Sequence, residues 1–77
     1  MYFIGEYKNG LRHGKGIQYY SNENIKYEGD WLNDKFEGNG KYIWKGGEYY
    51  IGQYKNGLRH GKGIEYYSNG IIEYEGE

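Results

Sequence analysis

The eleven residues Tyr7–Ile17, YKNGLRHGKGI, return unchanged as Tyr54–Ile64. The likeness extends outward: when Phe3–Lys26 is aligned with Tyr50–Glu73, 18 of 24 positions are identical. The stretch between them, Tyr27–Tyr49 (YEGDWLNDKFEGNGKYIWKGGEY), keeps the same order of aromatic, glycine, aromatic, asparagine and paired glycine with more drift. A fourth unit opens at Tyr74–Glu77. Units therefore start at Phe3, Tyr27, Tyr50 and Tyr74, with spacings of 24, 23 and 24 residues. The chain reads as one repeat domain over residues 1–77, with units 3–26, 27–49, 50–73 and the start of a fourth at 74–77. A catalytic loop rarely duplicates together with all its flanks. A stacked scaffold does so by construction, because each unit packs on a copy of itself.

Each unit carries two turn signals. One is Asn9-Gly10, echoed by Asn33-Asp34 and Asn56-Gly57; the other is Ser21-Asn22, echoed by Gly46-Gly47 and Asn69-Gly70. Between them run alternating segments rich in Tyr and Ile, with no 3.6-residue period. These are hairpin signals, and they imply an all-β, elongated, single-layer antiparallel meander of about seven strands. Straight stacking of an odd-length unit requires one even and one odd loop. A two-residue turn at Gly46-Gly47 then goes with three-residue loops at 10–12, 34–36 and 57–59, and the longer units take three-residue loops at 22–24 and 69–71.

Side chains alternate across a strand, so this register assigns the faces. One face carries Phe3, Tyr7, Tyr19, Tyr27, Trp31, Tyr50, Tyr54, Tyr66 and Tyr74, interspersed with Ile43, Lys15, Asn39 and Lys62. A second row on it alternates Gly5, Gly29, Gly52 and Gly76 with Ile17, Lys41 and Ile64, leaving bare backbone under the rings. The opposite face, with Ile4, Gln18, Glu28, Tyr42, Ile51, Glu65 and Glu75, and Gly16, Gly40 and Gly63 behind them, is mixed and more polar.

Composition narrows the function. Lys and Arg number 10 against 11 Asp and Glu, for a formal charge of −1. That balance argues against a nucleic-acid binder, which is ordinarily strongly basic. Cys is absent, which excludes disulfides and thiolate metal sites and fits a reducing compartment. The start, MYFIGEYKNG, has neither the basic region nor the apolar run of a signal peptide, so the chain is expected to be cytoplasmic, with peripheral contact to membranes as the variant of that expectation. Aromatic residues make up 21% of the chain, most of them tyrosine. A face of such rings is what protein interfaces enrich.

The segments YEGDWLNDKFEGNGKY, YIGQYKNGLRHGKGIEYYSNG and FIGEYKNGLRHGKGIQYY resemble MORN (membrane occupation and recognition nexus) repeats. That pattern runs aromatic-x-Gly-x-aromatic-x-Asn-Gly-x-x-His-Gly-x-Gly with a period near 23. The resemblance covers Phe3 to the end of the chain. Departures are Glu37 in place of His, Asp34 in place of Gly, and Glu23 where Gly70 stands later. The resemblance implies a gently twisting single-layer sheet, protein–protein contact, homodimerisation and tethering near membranes.

The aromatic face is accordingly expected to meet a protein partner or a second copy of the chain. The alternative surface is basic: Lys8, Arg12, His13 and Lys15 around one turn and Lys55, Arg59, His60 and Lys62 around its copy. The two tips lie roughly 19 Å apart at about 4.8 Å per strand, a layout for anionic phospholipid headgroups such as phosphoinositides, against the simpler reading of solvated hairpin ends. His13 and His60 occupy equivalent repeat positions with no Cys or clustered carboxylate to complete a metal site, so no metal and no cofactor are expected. The Gly14–Gly16 and Gly61–Gly63 segments lack the strand–loop–helix frame of a phosphate loop. Glu28 and Asp30 share a polar face without a pocket to shift a pKa. No catalytic residue is assigned, and the chain reads as non-enzymatic.

Overall fold

The computed structural model describes residues 2–76, so Glu77 of the fourth unit lies outside the described residues. Seven strands follow one another: β1 (Tyr2–Lys8), β2 (Leu11–Tyr19), β3 (Ile25–Leu32), β4 (Lys35–Ile43), β5 (Tyr49–Lys55), β6 (Leu58–Tyr66) and β7 (Ile72–Gly76). Each pairs antiparallel with the next in a single sheet of order β1 to β7. Its extents of 39 × 30 × 13 Å are those of one layer.

The Asn-Gly turns set the first correction to the sequence reading. At Asn9-Gly10, Asn33-Asp34 and Asn56-Gly57 both residues have positive φ, from 50° to 83°, and the strands close directly around them, as in Lys8↔Leu11. These are two-residue type I′ turns, whose twist matches that of the strands and which Asn, Asp and Gly tolerate best. The three-residue loops expected at 10–12, 34–36 and 57–59 do not form.

Two extra residues are taken up inside the even strands instead. Gly5 pairs with Gly16, and the next pair is Tyr7 with Arg12. The same step occurs between Gly29↔Gly40 and Trp31↔Phe36, and between Gly52↔Gly63 and Tyr54↔Arg59. One residue of the odd strand thus faces three of the even strand, and the middle one of those three is a glycine at φ 70°, 68° or 65° (Gly14, Gly38, Gly61). The lone residue opposite caps the bulge. Glu6, Asp30 and Gln53 accept the backbone N–H of Lys15, Asn39 and Lys62 at 3.3, 3.0 and 3.4 Å. The first glycine of each Gly-x-Gly pair is therefore a bulge residue, and the N–H beside it is already occupied.

At the other end all three connections are three-residue loops, closed by Tyr20 N–H to Asn24 O, Trp44 N–H to Glu48 O and Tyr67 N–H to Ile71 O at 2.8 to 2.9 Å. The two-residue turn expected at Gly46-Gly47 is thus corrected as well. The extra residue of the 24-residue units sits in a bulge at Lys26 and Glu73, after Gln18↔Tyr27 and Glu65↔Tyr74. The 23-residue unit has none there.

Every even strand is consequently shifted one residue from the expected register, and its faces exchange. Phe3 pairs with Gln18, Tyr27 with Gln18 and Tyr42, and Tyr50 with Tyr42 and Glu65. Tyr19 and Tyr66 therefore leave the main aromatic face and stack on Tyr2 and Tyr49 across the other one, at 4.7 and 4.6 Å between centroids. Phe36 and Tyr42 replace them. The odd-strand rings Phe3, Tyr7, Tyr27, Trp31, Tyr50, Tyr54 and Tyr74 share one face as expected.

The same shift aligns a glycine from each strand. Gly5, Gly16, Gly29, Gly40, Gly52, Gly63 and Gly76 pair in succession across the whole sheet. The rings lie over this row. A methyl group on Gly16 would overlap Phe3, one on Gly40 would overlap Tyr27, and one on Gly63 would overlap Tyr50. Seated in this way, Tyr27 donates its hydroxyl hydrogen to Asp30 O at 2.9 Å, and Tyr50 does the same to Gln53 O at 3.3 Å. Phe36 stacks on Tyr27 at 3.8 Å, and Trp31 and Tyr54 meet Tyr27 edge-on at 5.1 and 5.6 Å. Tyr27, Trp31, Tyr50 and Tyr54 are the buried core, and Tyr27 is 0% exposed.

Filling the row should break the fold locally. Gly40→Ala is expected to destabilise the protein by about 1–3 kcal/mol, the usual range for overpacking, as measured by denaturant unfolding. Adding Tyr27→Phe, which removes the nearest overlapping atom, should recover part of that loss in a double-mutant cycle. Purely additive effects would show that the ring does not sit on this glycine.

Candidate functional site

The aromatic face is two things at once. Its middle is sealed by its own rings, so Tyr27, Trp31, Tyr50 and Tyr54 are structural. Burial raises the Tyr27 and Tyr54 hydroxyl pKa values well above the ordinary 10.0, and the neighbouring Tyr54 and Tyr50 hydroxyls, respectively, add to the effect. Trp31 Nε1 donates to Gly16 O at 3.1 Å. Phe3 is half-buried at one end of the pile. Tyr7 and Tyr74 remain open, and Tyr74 is 53% exposed where its equivalent Tyr50 is 5% exposed. Tyr19 and Tyr66, half-buried on the reverse, belong to a different surface.

That reverse surface is more apolar than its sequence suggested. Ile4 pairs with Ile17, and Ile51 with Ile64, each pair flanked by a tyrosine stack. Between the two patches stand Glu28 and Lys41, paired with one another.

The basic residues do not gather into two equal tips. Arg12 donates from Nε to Asp34 Oδ1 at 3.0 Å and from its backbone N–H to the same oxygen at 2.7 Å, with its guanidinium over Trp31 at 4.6 Å. Backbone and side-chain hydrogen bonds from Arg12 hold the Asp34 carboxyl below its usual range. Lys15 pairs with Asp30 at 2.5 Å on the reverse face. There burial works to raise the Asp30 pKa, but the Lys15 ammonium and the Asn39 N–H outweigh it and leave it lowered. Arg59 pairs with Glu65 over the Tyr50 ring, which raises its own pKa further. Lys8 and Lys55 are exposed at strand ends beside the turns, and Lys62 is exposed on the reverse face. His60 is exposed, while His13 is half-buried with Nδ1 lacking a hydrogen-bond partner among the described residues.

Neighbouring tips are also tied to one another. Asp34 N–H donates to Arg12 O and Gly57 N–H to Phe36 O, both at 3.0 Å. The second turn residue of each hairpin thus anchors on the hairpin before it, a contact that recurs only if each unit stacks on its predecessor.

This lateral recurrence matches what the family comparison finds. The family model described as MORN repeat matches residues 3–25, 27–49 and 50–72 in three consecutive copies. The chain belongs to the MORN repeat family. The MORN periodicity accounts for the Gly-x-Gly bulge, the ring seat and the Asn-Gly turn in each unit. It does not account for Asp34, which stands where the flanking units have Gly10 and Gly57, and this departure creates the clamp on Arg12. Tyr42, Trp44 and Lys45 likewise depart from the flanking units. The sequence reading assigned them no role, and their divergence from the repeat was the signal that singles them out.

The depressed Asp30 and Asp34 carboxyls make acid sensitivity a readout of these clamps. Their stabilisation is present above the ordinary carboxylate value of 3.8 and is lost as pH falls through their lower folded values. The melting temperature is expected to hold steady through neutral pH and to drop once pH passes below the ordinary value. Asp34→Asn should melt lower at pH 7 and lose less on acidification. Equal acid responses of the two proteins would contradict the clamp.

Proposed function

We propose that this protein is a non-catalytic interaction module that binds a protein partner or a second copy of itself through the exposed portions of its sheet. The observation that carries this reading is a single layer with large apolar side chains left open on both sides. Ile4 is 60% exposed and Leu58 71%, and Tyr7, Ile51, Tyr67, Ile71 and Tyr74 are open as well. Apolar side chains left open on both faces of a one-layer sheet support this reading, and MORN repeats commonly serve in protein or membrane interactions. Much of the polar surface is satisfied within the chain: Asp34, Asp30 and Glu65 are each engaged with a basic side chain.

The second reading is recognition of acidic phospholipid through Lys8, Arg12, His13, Lys15, Lys55, Arg59, His60 and Lys62. Arg12, Lys15 and Arg59 already engage carboxylates of the same chain, and Lys62 and Lys15 project from the face opposite Arg12. That division weighs against one continuous anion-binding tip.

Co-sedimentation with vesicles separates the two readings. Vesicles of neutral lipid and vesicles containing phosphoinositide are expected to pellet the protein equally little. Light scattering across a concentration series should show mass above the monomer, or a monomer that becomes complexed when its partner is supplied. Selective pelleting with phosphoinositide, abolished by Lys8→Ala with Lys55→Ala, would replace the leading reading by the lipid one.

A further inference from the structure

Six residues cross the reverse face in a single row. Ile4 pairs with Ile17, Ile17 with Glu28, Glu28 with Lys41, Lys41 with Ile51 and Ile51 with Ile64, each on the strand after the last. The middle unit departs from its neighbours here. Glu28 stands where the flanking units have Ile4 and Ile51, and Lys41 where they have Ile17 and Ile64. From β1 to β6 the row therefore reads apolar, apolar, acidic, basic, apolar, apolar. Ile4, Glu28 and Ile51 are exposed, and Ile17, Lys41 and Ile64 are half-buried. Lys41 lies over the Tyr49 ring with its ammonium nitrogen 4.8 Å from the centroid, a contact that attracts the cation without neutralising it.

That order is complementary to itself. Consider a two-fold axis parallel to the strands, lying between two copies packed reverse face to reverse face and passing between β3 and β4. It sets β1 against β6 of the second copy, β2 against β5 and β3 against β4. Glu28 then faces Lys41 of the second copy and Lys41 faces its Glu28, so the four charges alternate in sign. Ile17 faces Ile51 of the second copy, and Ile4 faces its Ile64. Glu75 pairs with Ile64 one strand further on and falls beyond Ile4 of the second copy. The adjoining rows agree. Toward the three-residue loops, the Tyr2–Tyr19 stack meets the Tyr49–Tyr66 stack of the second copy. Toward the Asn-Gly turns, Glu6 on β1 falls opposite Lys62 on β6 of the second copy.

Neighbouring placements of the axis lose this match. Moved onto β3, it opposes Glu28 to Glu28 and Ile17 to Lys41; moved onto β4, it opposes Lys41 to Lys41 and Glu28 to Ile51. An axis along the row opposes every charge to its own copy. Like charges held together, or a charge buried against isoleucine, are costly. Twisted sheets pack about 10 Å apart with strands within about 30° of alignment, so register is kept best near the axis, where the charges stand. We propose that the reverse face binds a second copy of this chain about this two-fold axis, as an isologous dimer. This names the partner and the surface for the interaction module proposed above and rests on that reading. Six strands at about 4.8 Å by about 17 Å of strand cover roughly 500 Å² on each copy, about 1,000 Å² in all, the lower bound of specific interfaces. The dimer is accordingly weak and reversible, with a Kd on the order of 100 μM.

Charge exchange makes the test specific. Dilute ¹⁵N-labelled protein is titrated with unlabelled protein and followed by NMR. The amide signals of Ile4, Ile17, Ile51 and Ile64 should shift saturably, while the indole signal of Trp31, on the other face, stays in place. The variant Glu28→Lys with Lys41→Glu keeps opposite charges side by side within the chain, so its fold is expected to stand. It should associate with itself as the parent does. Added to the labelled parent it sets like charge against like, and it should bind at least about tenfold more weakly. The single variants Glu28→Lys and Lys41→Glu should each lose self-association by a similar factor, and an equimolar mixture of the two should recover it, because each then supplies the charge the other lacks. Equal binding of the exchanged variant to the parent, a mixture no more associated than its components, or shifts confined to the aromatic face or the sheet edges would overturn this pairing. So would a protein whose signals are unmoved up to about 1 mM, tenfold above the expected midpoint. Association through another surface, or capture of a different protein by a chain that stays monomeric alone, would leave the interaction module standing without this dimer.

Discussion

A sheet one layer thick has no second layer against which to bury its side chains, and everything particular about this molecule answers that constraint. Tyrosine and phenylalanine from the odd strands lie down across the backbone of the next strand, and the row of seven paired glycines is what admits them. The rings then supply the core that a single layer otherwise lacks. Phe36 flat on Tyr27, with Trp31 and Tyr54 edge-on to it, is the densest part of that pile. Edge-to-face and offset pairs of this kind contribute roughly 0.5–1.5 kcal/mol each beyond the area they bury, which matters where ordinary aliphatic packing is sparse. Polar tips on the same rings let Tyr27 and Tyr50 satisfy backbone carbonyls next to the bulges. Leucine would fill the space and leave those oxygens unpaired.

The bulge and the ring seat are one device. Without the two additional residues around Gly14, Gly38 and Gly61, the second glycine of each pair would not stand opposite Gly5, Gly29 and Gly52, and the ring would meet a side chain. The capping oxygen of Glu6, Asp30 or Gln53 gives the bulged N–H a partner that the strand ladder does not supply there. The period follows from the same geometry. Units of 23 and 24 residues coexist because the difference is absorbed at Lys26 and Glu73, away from the glycine row, so stacking of the rings is undisturbed.

The repeat, the strand count and the common face of the odd-strand rings were legible in the sequence because alternation and turn chemistry speak directly to them. The register of the even strands was not. Parity can be satisfied by loop length or by a bulge, and alternation alone does not choose between the two. The deciding sign was present in Gly14, Gly38 and Gly61: a second glycine two residues from the first is superfluous unless one of them needs positive φ. With the register misplaced by one, Tyr19 and Tyr66 were assigned to the aromatic face, Tyr42 to the opposite one and Phe36 to a loop, where the strands instead put Phe36 and Tyr42 among the rings. The pairing of the basic residues was hidden for a different reason. Arg12 and Asp34 are 22 residues apart in sequence and become neighbours only when units stack, so a count of charges around each turn does not show that contact. What the middle unit adds on its own account, Asp34 at the tips and Tyr42, Trp44 and Lys45 at the opposite end, is where individuality is written onto an otherwise uniform scaffold.

The claim on which the rest stands, that aromatic rings lie directly on the glycine row, is tested most directly by proton NMR of the glycine Hα resonances. With Phe3, Tyr27 and Tyr50 seated as described, the Hα protons of Gly16, Gly40 and Gly63 should be displaced strongly upfield by the ring currents. Gly40 and Gly63 should show cross-relaxation to the ring protons of Tyr27 and Tyr50 respectively. Glycine Hα shifts at ordinary values, with the cross-peaks of those rings leading instead to Ile17, Lys41 and Ile64, would contradict the register and the packing scheme together.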